Sequence, residues 1–183
     1  RLVKIFPGMH ASGVVMTVPM PGHPIGSTER EIVVTQYAQL DSLIQGHDVV
    51  FLLTDSREAR WLPTVMCAAY DKLLINTALG FDSYLIMRHG HSPMTDDVNV
   101  KEPSRVGCYF CSDIVAPGNS THDRSLDQQC TVTRAGLAQI ASGIAVEMMV
   151  TLLHAPEGHH TPAGATETGT VIPHQIRGFL HSF

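Results

Sequence analysis

The chain has 183 residues, 44% hydrophobic and 16% charged, which suits one domain with a sizeable core. Its net charge of −5 argues against a general nucleic-acid binder, and no apolar run approaches the ~20 residues that span a bilayer. No signal peptide is visible, so the four cysteines suggest thiols or metal ligands in a reducing compartment, not disulfides.

Arg1 opens the chain in what reads as the tail of a helix, so a piece of a longer protein is expected. Gly13 to Met20 predicts a strand, closed by the turn residues Pro21-Gly22 and Pro24. Thr28 to Gln45 places Ile32, Val33, Tyr37, Leu40 and Ile44 at helical spacing. Asp48 to Thr54 is a short continuous apolar run, typical of a parallel strand covered on both faces. A helix is expected over Arg57 to Tyr70, with Pro63 tolerated near its first turn, then strands over Lys72 to Leu79 and Ser83 to Met87. Strand, helix, strand, helix, strand predicts a doubly wound α/β sheet.

Beyond Met87 the alternation lapses. His91 to Val106 is polar, holds two prolines and reads as a mobile loop. Arg134 to His154 predicts the clearest helix, with Leu137, Ile140, Ala141, Ile144, Ala145, Met148 and Leu152 on one apolar face. Pro156 to Thr170 reads as a flexible surface insertion; its His159-His160 pair could touch a metal, but a solvated loop is the preferred reading.

Three constellations carry chemistry. Cys130 lies in Asp127-Gln128-Gln129-Cys130-Thr131, a polar segment directly ahead of the last helix. Reactive cysteines favour helix N-termini, where the dipole stabilises the thiolate, whereas structural ones are buried in apolar surroundings. Asp55 ends the most apolar strand, where ligands bind in open α/β sheets, and its carboxylate suits Mg²⁺ held against phosphate oxygens. Arg57 and Arg60 follow, able to neutralise phosphate or clamp a carboxylate; an N-cap at Asp55 or Ser56 with a solvated charge cluster explains the same residues equally well. Cys108-Tyr109-Phe110-Cys111 has the spacing of half a tetrahedral zinc site. A redox dithiol needs the same spacing in a thioredoxin-like context, which is absent, and zinc is preferred. Cys67 reads as a small buried apolar residue.

A resemblance covers nearly the whole chain. It is carried by Lys4-Ile5-Phe6-Pro7-Gly8, Pro19 to Pro24, His47 to Leu53, Asp55, Arg57-Glu58, Arg60-Trp61-Leu62-Pro63, Ala78 to Asp82 and Met87-Arg88-His89-Gly90. Gly107 to Cys111, Leu126 to Val132 and Pro173-His174-Gln175-Ile176-Arg177-Gly178 continue it. On these residues the chain resembles the autophagy type of ubiquitin-like-modifier-activating enzyme, which is related to the bacterial sulfur-carrier adenylyltransferases.

The resemblance implies a partial Rossmann-like, doubly wound sheet of the ThiF/MoeB type. Residues 1–183 would form part of an adenylation domain, with the catalytic-cysteine and zinc-knuckle region at 88–130. It implies ATP-Mg²⁺-dependent adenylation of a modifier's C-terminal Gly, thioester formation on Cys130, and transfer to a conjugating enzyme. Asp55 and Arg60 would serve the nucleotide, and Cys108 and Cys111 would supply half of a Zn²⁺ site. Autophagy ubiquitin-like modifiers, autophagy conjugating enzymes and a second copy of the chain are the implied partners, with no nucleic acid and no membrane span. The implied location is cytoplasmic, with recruitment to the pre-autophagosomal structure. No G-x-G-x-x-G occurs in the chain, so the nucleotide loop is expected before Arg1 and a second C-x-x-C after Phe183, and the piece alone is expected to be inactive. Ala135 replaces a proline common in the family, which is expected to loosen the turn into the last helix, and the 91–106 loop is shorter than in many relatives. Two other readings remain: a non-catalytic dimerisation or modifier-docking module from a truncated gene, and a sulfur-carrier adenylyltransferase of the bacterial type.

Overall fold

The computed structural model describes residues 1–90, 106–112, 119–120, 132–165 and 171–180. In chain order these form α1 (Leu2–Ile5), α2 (Arg30–Gln45), β1 (Val49–Leu52), α3 (Glu58–Ala69), β2 (Leu73–Leu79), β3 (Ser83–Arg88) and α4 (Tyr109–Ser112). They continue with α5 (Leu137–His154), a 3-10 turn (Gly158–His160), β4 (Gly164–Ala165), β5 (Val171–Ile172) and β6 (Gln175–Phe179).

The main sheet has the order β1-β2-β3-β6, and β4 pairs with β5 in a separate ribbon. Successive strand residues point to opposite faces, so the apolar runs of β1 and β2 need cover on both sides. Leu73, Ile75 and Ile86 pack with Ala141, Ala145, Met148 and Leu152 of α5, joined by Val49, Phe51 and Ile176. The alternate residues Leu74 and Leu52 pack with Ile44 of α2 and with Met66 and Cys67 of α3. The result is three layers, with α5 on one face and α2 and α3 on the other, as the periodicities predict. Cys67 is 1% exposed, and burial pushes its thiol up to about 12, in keeping with the inert core role read from the sequence.

α5 is long and apolar enough, by length and composition, to cross a membrane. Leu137, Ala141, Ala145, Met148 and Leu152 of this helix are buried in the protein core. Val146, Val150 and Leu153 lie exposed on its other side.

One expectation needs correction. Residues 13–20 form no strand; the segment carries no regular structure, and Val14 and Val15 are exposed. Apolar alternation gives a strand only where a neighbour supplies hydrogen bonds, and β1 pairs only with β2 among the described residues. The α/β sheet is mixed. β1 and β2 are parallel, but β2–β3 and β3–β6 are antiparallel. The connection Gly80-Phe81-Asp82 is too short for a crossover, so the chain must return as a hairpin, closed by Gly80 N–H donating to the Ser83 carbonyl at 2.8 Å. In the β3–β6 pair, Tyr84 lies opposite Gly178, and a Cβ on that glycine would meet the tyrosine hydroxyl at 2.3 Å.

Arg88 closes the far end of β3. Its side chain is 1% exposed and donates to the carbonyls of Pro173 (3.0 Å), Thr161 (2.5 Å) and Ile172 (3.3 Å). One guanidinium thus holds β3, the β5–β6 bend and the turn after α5 together. Replacing it by Met leaves buried carbonyls without donors, and Arg88→Met is expected to lose about 3 kcal/mol in urea unfolding. A loss under about 0.5 kcal/mol, the range of ordinary surface changes, would contradict this role.

Candidate functional site at the carboxyl edge of the sheet

Because β1 and β2 are parallel, their carboxyl ends share one edge of the sheet. Asp55 follows β1 there, is exposed, and lines a cleft of about 440 Å³ with Thr17, Val18, Met20, Thr54, Ser56 and Ala59. The N-terminal arm expected to be a strand therefore forms a wall of this cleft. α3 begins at Glu58 with Arg57 at its N-cap, and the Arg57 side chain makes no capping bond. The Thr54 hydroxyl, which also lines the cleft, is buried without a hydrogen-bond partner among the described residues. Such an orphaned donor next to an exposed carboxylate fits a polar ligand.

Arg60 is 4% exposed and points beneath this edge. Its guanidinium donates to the carbonyls of Leu52 (3.2 Å), Thr77 (3.1 Å) and Thr54, and to Asn76 Oδ1. These contacts fix the backbone just before Asp55.

Cys130 and Thr131 lie outside the described residues. The segment that follows them returns to the same edge. The Arg134 amide donates to the Phe81 carbonyl at 2.8 Å, and its guanidinium donates to Leu180 O at 3.0 Å. Phe81 is in the turn directly after β2, two residues past its carboxyl end. Gly136 then enters α5 with a positive φ of 87°, while Ala135 is exposed in the preceding turn.

The two thiols of Cys108 and Cys111 sit elsewhere. β3 runs antiparallel to β2, so its last residues face the amino ends of β1 and β2, and the His89 amide donates to Leu74 O. Gly90 N–H then donates to Gly107 O at 3.1 Å; a Cβ on Gly90 would fall 1.6 Å from the Val106 carbonyl oxygen, so only glycine permits this approach. The sulfurs of Cys108 and Cys111 are 3.9 Å apart. Two thiolates on a tetrahedral ion with Zn–S bonds of ~2.3 Å sit about 3.8 Å apart, whereas a disulfide needs ~2.05 Å, so the pair fits a metal and not a bond. Burial and the neighbouring Cys111 raise the Cys108 thiol above its ordinary value. The ring of Phe110 stacks on the buried Trp61, with centroids 6.3 Å apart, which docks the knuckle on α3.

Sequence reasoning gave no role to Glu58, His89 or His174. Glu58 is 1% exposed inside α3. Its carboxylate accepts from the Ser120 amide at 2.7 Å and the Ser120 hydroxyl at 2.6 Å, and His23 Nε2 lies 3.7 Å away. It therefore ties the N-terminal arm, α3 and residues 119–120 to one point. The signal for it was an acidic residue that joins Arg60 in a mostly apolar helix. His89 is buried with both ring nitrogens lacking partners among the described residues; burial, then the neighbouring His174 and Arg60, push it down to about 3, so it is neutral. His174 is held below its ordinary value by burial and Arg88, and its Nε2 lies 3.0 Å from the Gly107 carbonyl that receives it.

With this geometry in view, comparison with known proteins decides the family. A ThiF family profile matches residues 4–171. The chain belongs to the ThiF family. It is 52% identical over 186 residues to a protein of Komagataella pastoris named ubiquitin-like modifier-activating enzyme ATG7, and it covers 28% of that protein while being covered in full itself. Proteins of the same name from Rattus norvegicus and Homo sapiens are 47% and 46% identical over 213 and 214 residues, again over the whole of this chain and 30% of theirs. The chain thus spans under a third of the length of these relatives.

The Glu58 geometry has a pH signature. Burial raises this carboxyl, but the Ser120 hydroxyl and amide, its own backbone amide and His23 outweigh burial and hold it below its free value of 4.5. A depressed carboxyl contributes stability that is complete above the unfolded value and lost as pH falls through the folded one. In urea unfolding from pH 7 to 3, Glu58→Gln is expected to be less stable at neutral pH and to show a flatter loss below pH ~4.5. An equally steep acid limb in the variant would assign that loss to other carboxylates.

Proposed function

We propose that this chain is part of the adenylation domain of an enzyme that activates autophagy ubiquitin-like modifiers. The observation that carries it is the cleft beside Asp55, together with the anchoring of Arg134 at the same sheet edge. Adenylation and thioester formation need a nucleotide site and a nucleophile within one modifier's reach, and this edge is common to both segments. Family membership and the names of the full-coverage relatives point the same way.

In the first step a carboxylate oxygen of the modifier's C-terminal Gly attacks the α-phosphorus of ATP. The bond to the bridging oxygen breaks and pyrophosphate leaves with its electron pair. Asp55 would hold Mg²⁺, which when bound neutralises phosphate charge. Arg60 acts as a positioning residue: its bonds to Leu52, Thr54 and Thr77 carbonyls hold the Asp55 backbone rigid. In the second step the Cys130 thiolate attacks the acyl carbon, the bond to the AMP oxygen breaks, and AMP leaves with the electron pair. AMP is a good leaving group, so the thiolate needs little beyond placement and a lowered pKa. The thioester then passes to a cysteine of a conjugating enzyme by thiol exchange. Cys108 and Cys111 would supply two of four ligands to a structural Zn²⁺, in keeping with their 3.9 Å spacing. The exposed Val146, Val150 and Leu153 of α5 would face a second copy in a homodimer. A cytoplasmic site of action, with recruitment to the pre-autophagosomal structure, belongs to the same reading.

In the full-length protein supplied with ATP and modifier, a thiol-sensitive adduct is expected on a non-reducing gel and none in Cys130→Ser. Asp55→Ala is expected to slow ATP–pyrophosphate exchange on the order of 100-fold while the protein stays folded. An adduct that persists unchanged in Cys130→Ser would move the nucleophile to another residue. Absence of any adduct in the wild-type protein would favour a docking module.

A further inference from the structure

Asp71, His159 and His160 come together far from the Asp55 cleft in sequence and in role. His159 Nε2 lies 3.1 Å from Asp71 Oδ1, and His160 Nε2 lies 3.3 Å from Asp71 Oδ2. One donor atom from each of the three residues lies within 4.8 Å of the other two, and the imidazole centroids are 4.0 Å apart at 36°. We infer that these three side chains form a surface site for a divalent transition ion of the Zn²⁺ class.

A tetrahedral ion with bonds of 2.0–2.1 Å to nitrogen and oxygen holds its donors about 3.3 Å apart, and the three donor atoms, all within 4.8 Å of one another, have only to close on it. Two imidazoles and one carboxylate suit Zn²⁺, Co²⁺, Ni²⁺ or Cu²⁺, and offer too few oxygens for Mg²⁺ or Ca²⁺. Three protein ligands leave a fourth position for water. The side chains are 47%, 27% and 41% exposed, for Asp71, His159 and His160, so an ion can enter from solvent.

The site is also preorganised, and two unrelated segments are fixed to build it. Asp71 follows the end of α3 in the left-handed region, with φ 50°. Lys72 N–H donates to Cys67 O at 2.9 Å and Asp71 N–H reaches Ala68 O at 3.5 Å, which is a Schellman ending with Asp in place of the usual Gly. The histidines sit on the 3-10 turn after α5. His160 N–H donates to Glu157 O at 3.1 Å, and the Thr161 hydroxyl donates to Gly158 O at 2.7 Å. The Thr161 carbonyl in turn accepts from buried Arg88. Neither segment has to order on binding, which removes a large part of the usual cost. An ion here would tie the α3–β2 turn to the α5–β4 connection across 88 residues of sequence. The histidine pair, read from the sequence as part of a solvated loop, is partly exposed and lies beside Asp71.

Asp71 and His159 also line a small cavity with His89 and Cys108, so thiol ligation must be removed from the test. The full chain carrying Cys108→Ser and Cys111→Ser is titrated with Zn²⁺ by calorimetry and with Co²⁺ by absorbance. We expect one bound Zn²⁺, a Co²⁺ spectrum without sulfur-to-metal charge transfer, and a melting temperature raised by saturating Zn²⁺. Loss of an outer-shell partner alone costs ~10-fold or more in metal affinity, so adding His159→Ala, His160→Ala or Asp71→Asn should each weaken binding by at least ~10-fold. The thermal shift should vanish in the His159→Ala/His160→Ala background, whose metal-free melting curve reports that it is folded. No Zn²⁺ bound to the thiol-free chain, or affinity and thermal shift unchanged by the histidine and aspartate changes, would overturn the site and leave the cluster as ion pairs.

Discussion

One buried guanidinium sets the geometry of the candidate catalytic edge. β1 stops at Leu52 and the chain must leave the sheet there, which would strand carbonyls of Leu52 and Thr54 in a dry interior. Arg60 supplies donors to both, and to Thr77 O and Asn76 Oδ1 on β2. Burying that charge is costly on its own, and the multiple carbonyl contacts offset it. The result is a stiff strand end from which an exposed carboxylate, Asp55, can project without moving.

The same device recurs at the other end of the sheet. Arg88 is buried where β3 leaves β2, and it binds the carbonyls of Thr161, Ile172 and Pro173. In both places an arginine closes a break in strand pairing by satisfying carbonyls no strand can reach. Around the first break lie Asp55 and the segment that follows Cys130. Around the second lie Gly90, Gly107 and the thiol pair. The sheet thus separates the Asp55 edge from the thiol-pair edge, with Trp61 on Phe110 and Glu58 on Ser120 connecting α3 to the segments between them.

Much of this could be read from residue patterns. The continuous apolar runs of β1 and β2 predict cover on two faces, and α5 with α2 and α3 provides it. The helix over Leu137 to His154 follows from its apolar stripe, although Ile140 turns out 42% exposed because the stripe is wider than the contact. Asp55 is legible because it ends the most apolar strand. The C-x-x-C pair is legible because spacing alone brings two sulfurs together. Arg60 is legible as a charge just behind the strand end, while its contacts are not, since a guanidinium reads the same whether it meets phosphate or carbonyl. The arm at 13–20 has the alternation of a strand without the neighbour that would make it one.

What the sequence determined alone are properties that depend on near neighbours in the chain: helix and strand periods, the thiol pair, and the family fingerprint. Tertiary structure decided whatever depends on which carbonyls and side chains meet across large separations. The arm became a wall of the Asp55 cleft, Glu58 became a junction for His23 and Ser120, and Asp71 met His159 and His160. Those side-chain partners are 35 to 89 residues apart, from His23 to Glu58 and from Asp71 to His160. No local period encodes such meetings; they follow only once the layers have packed and fixed which ends of the elements share an edge.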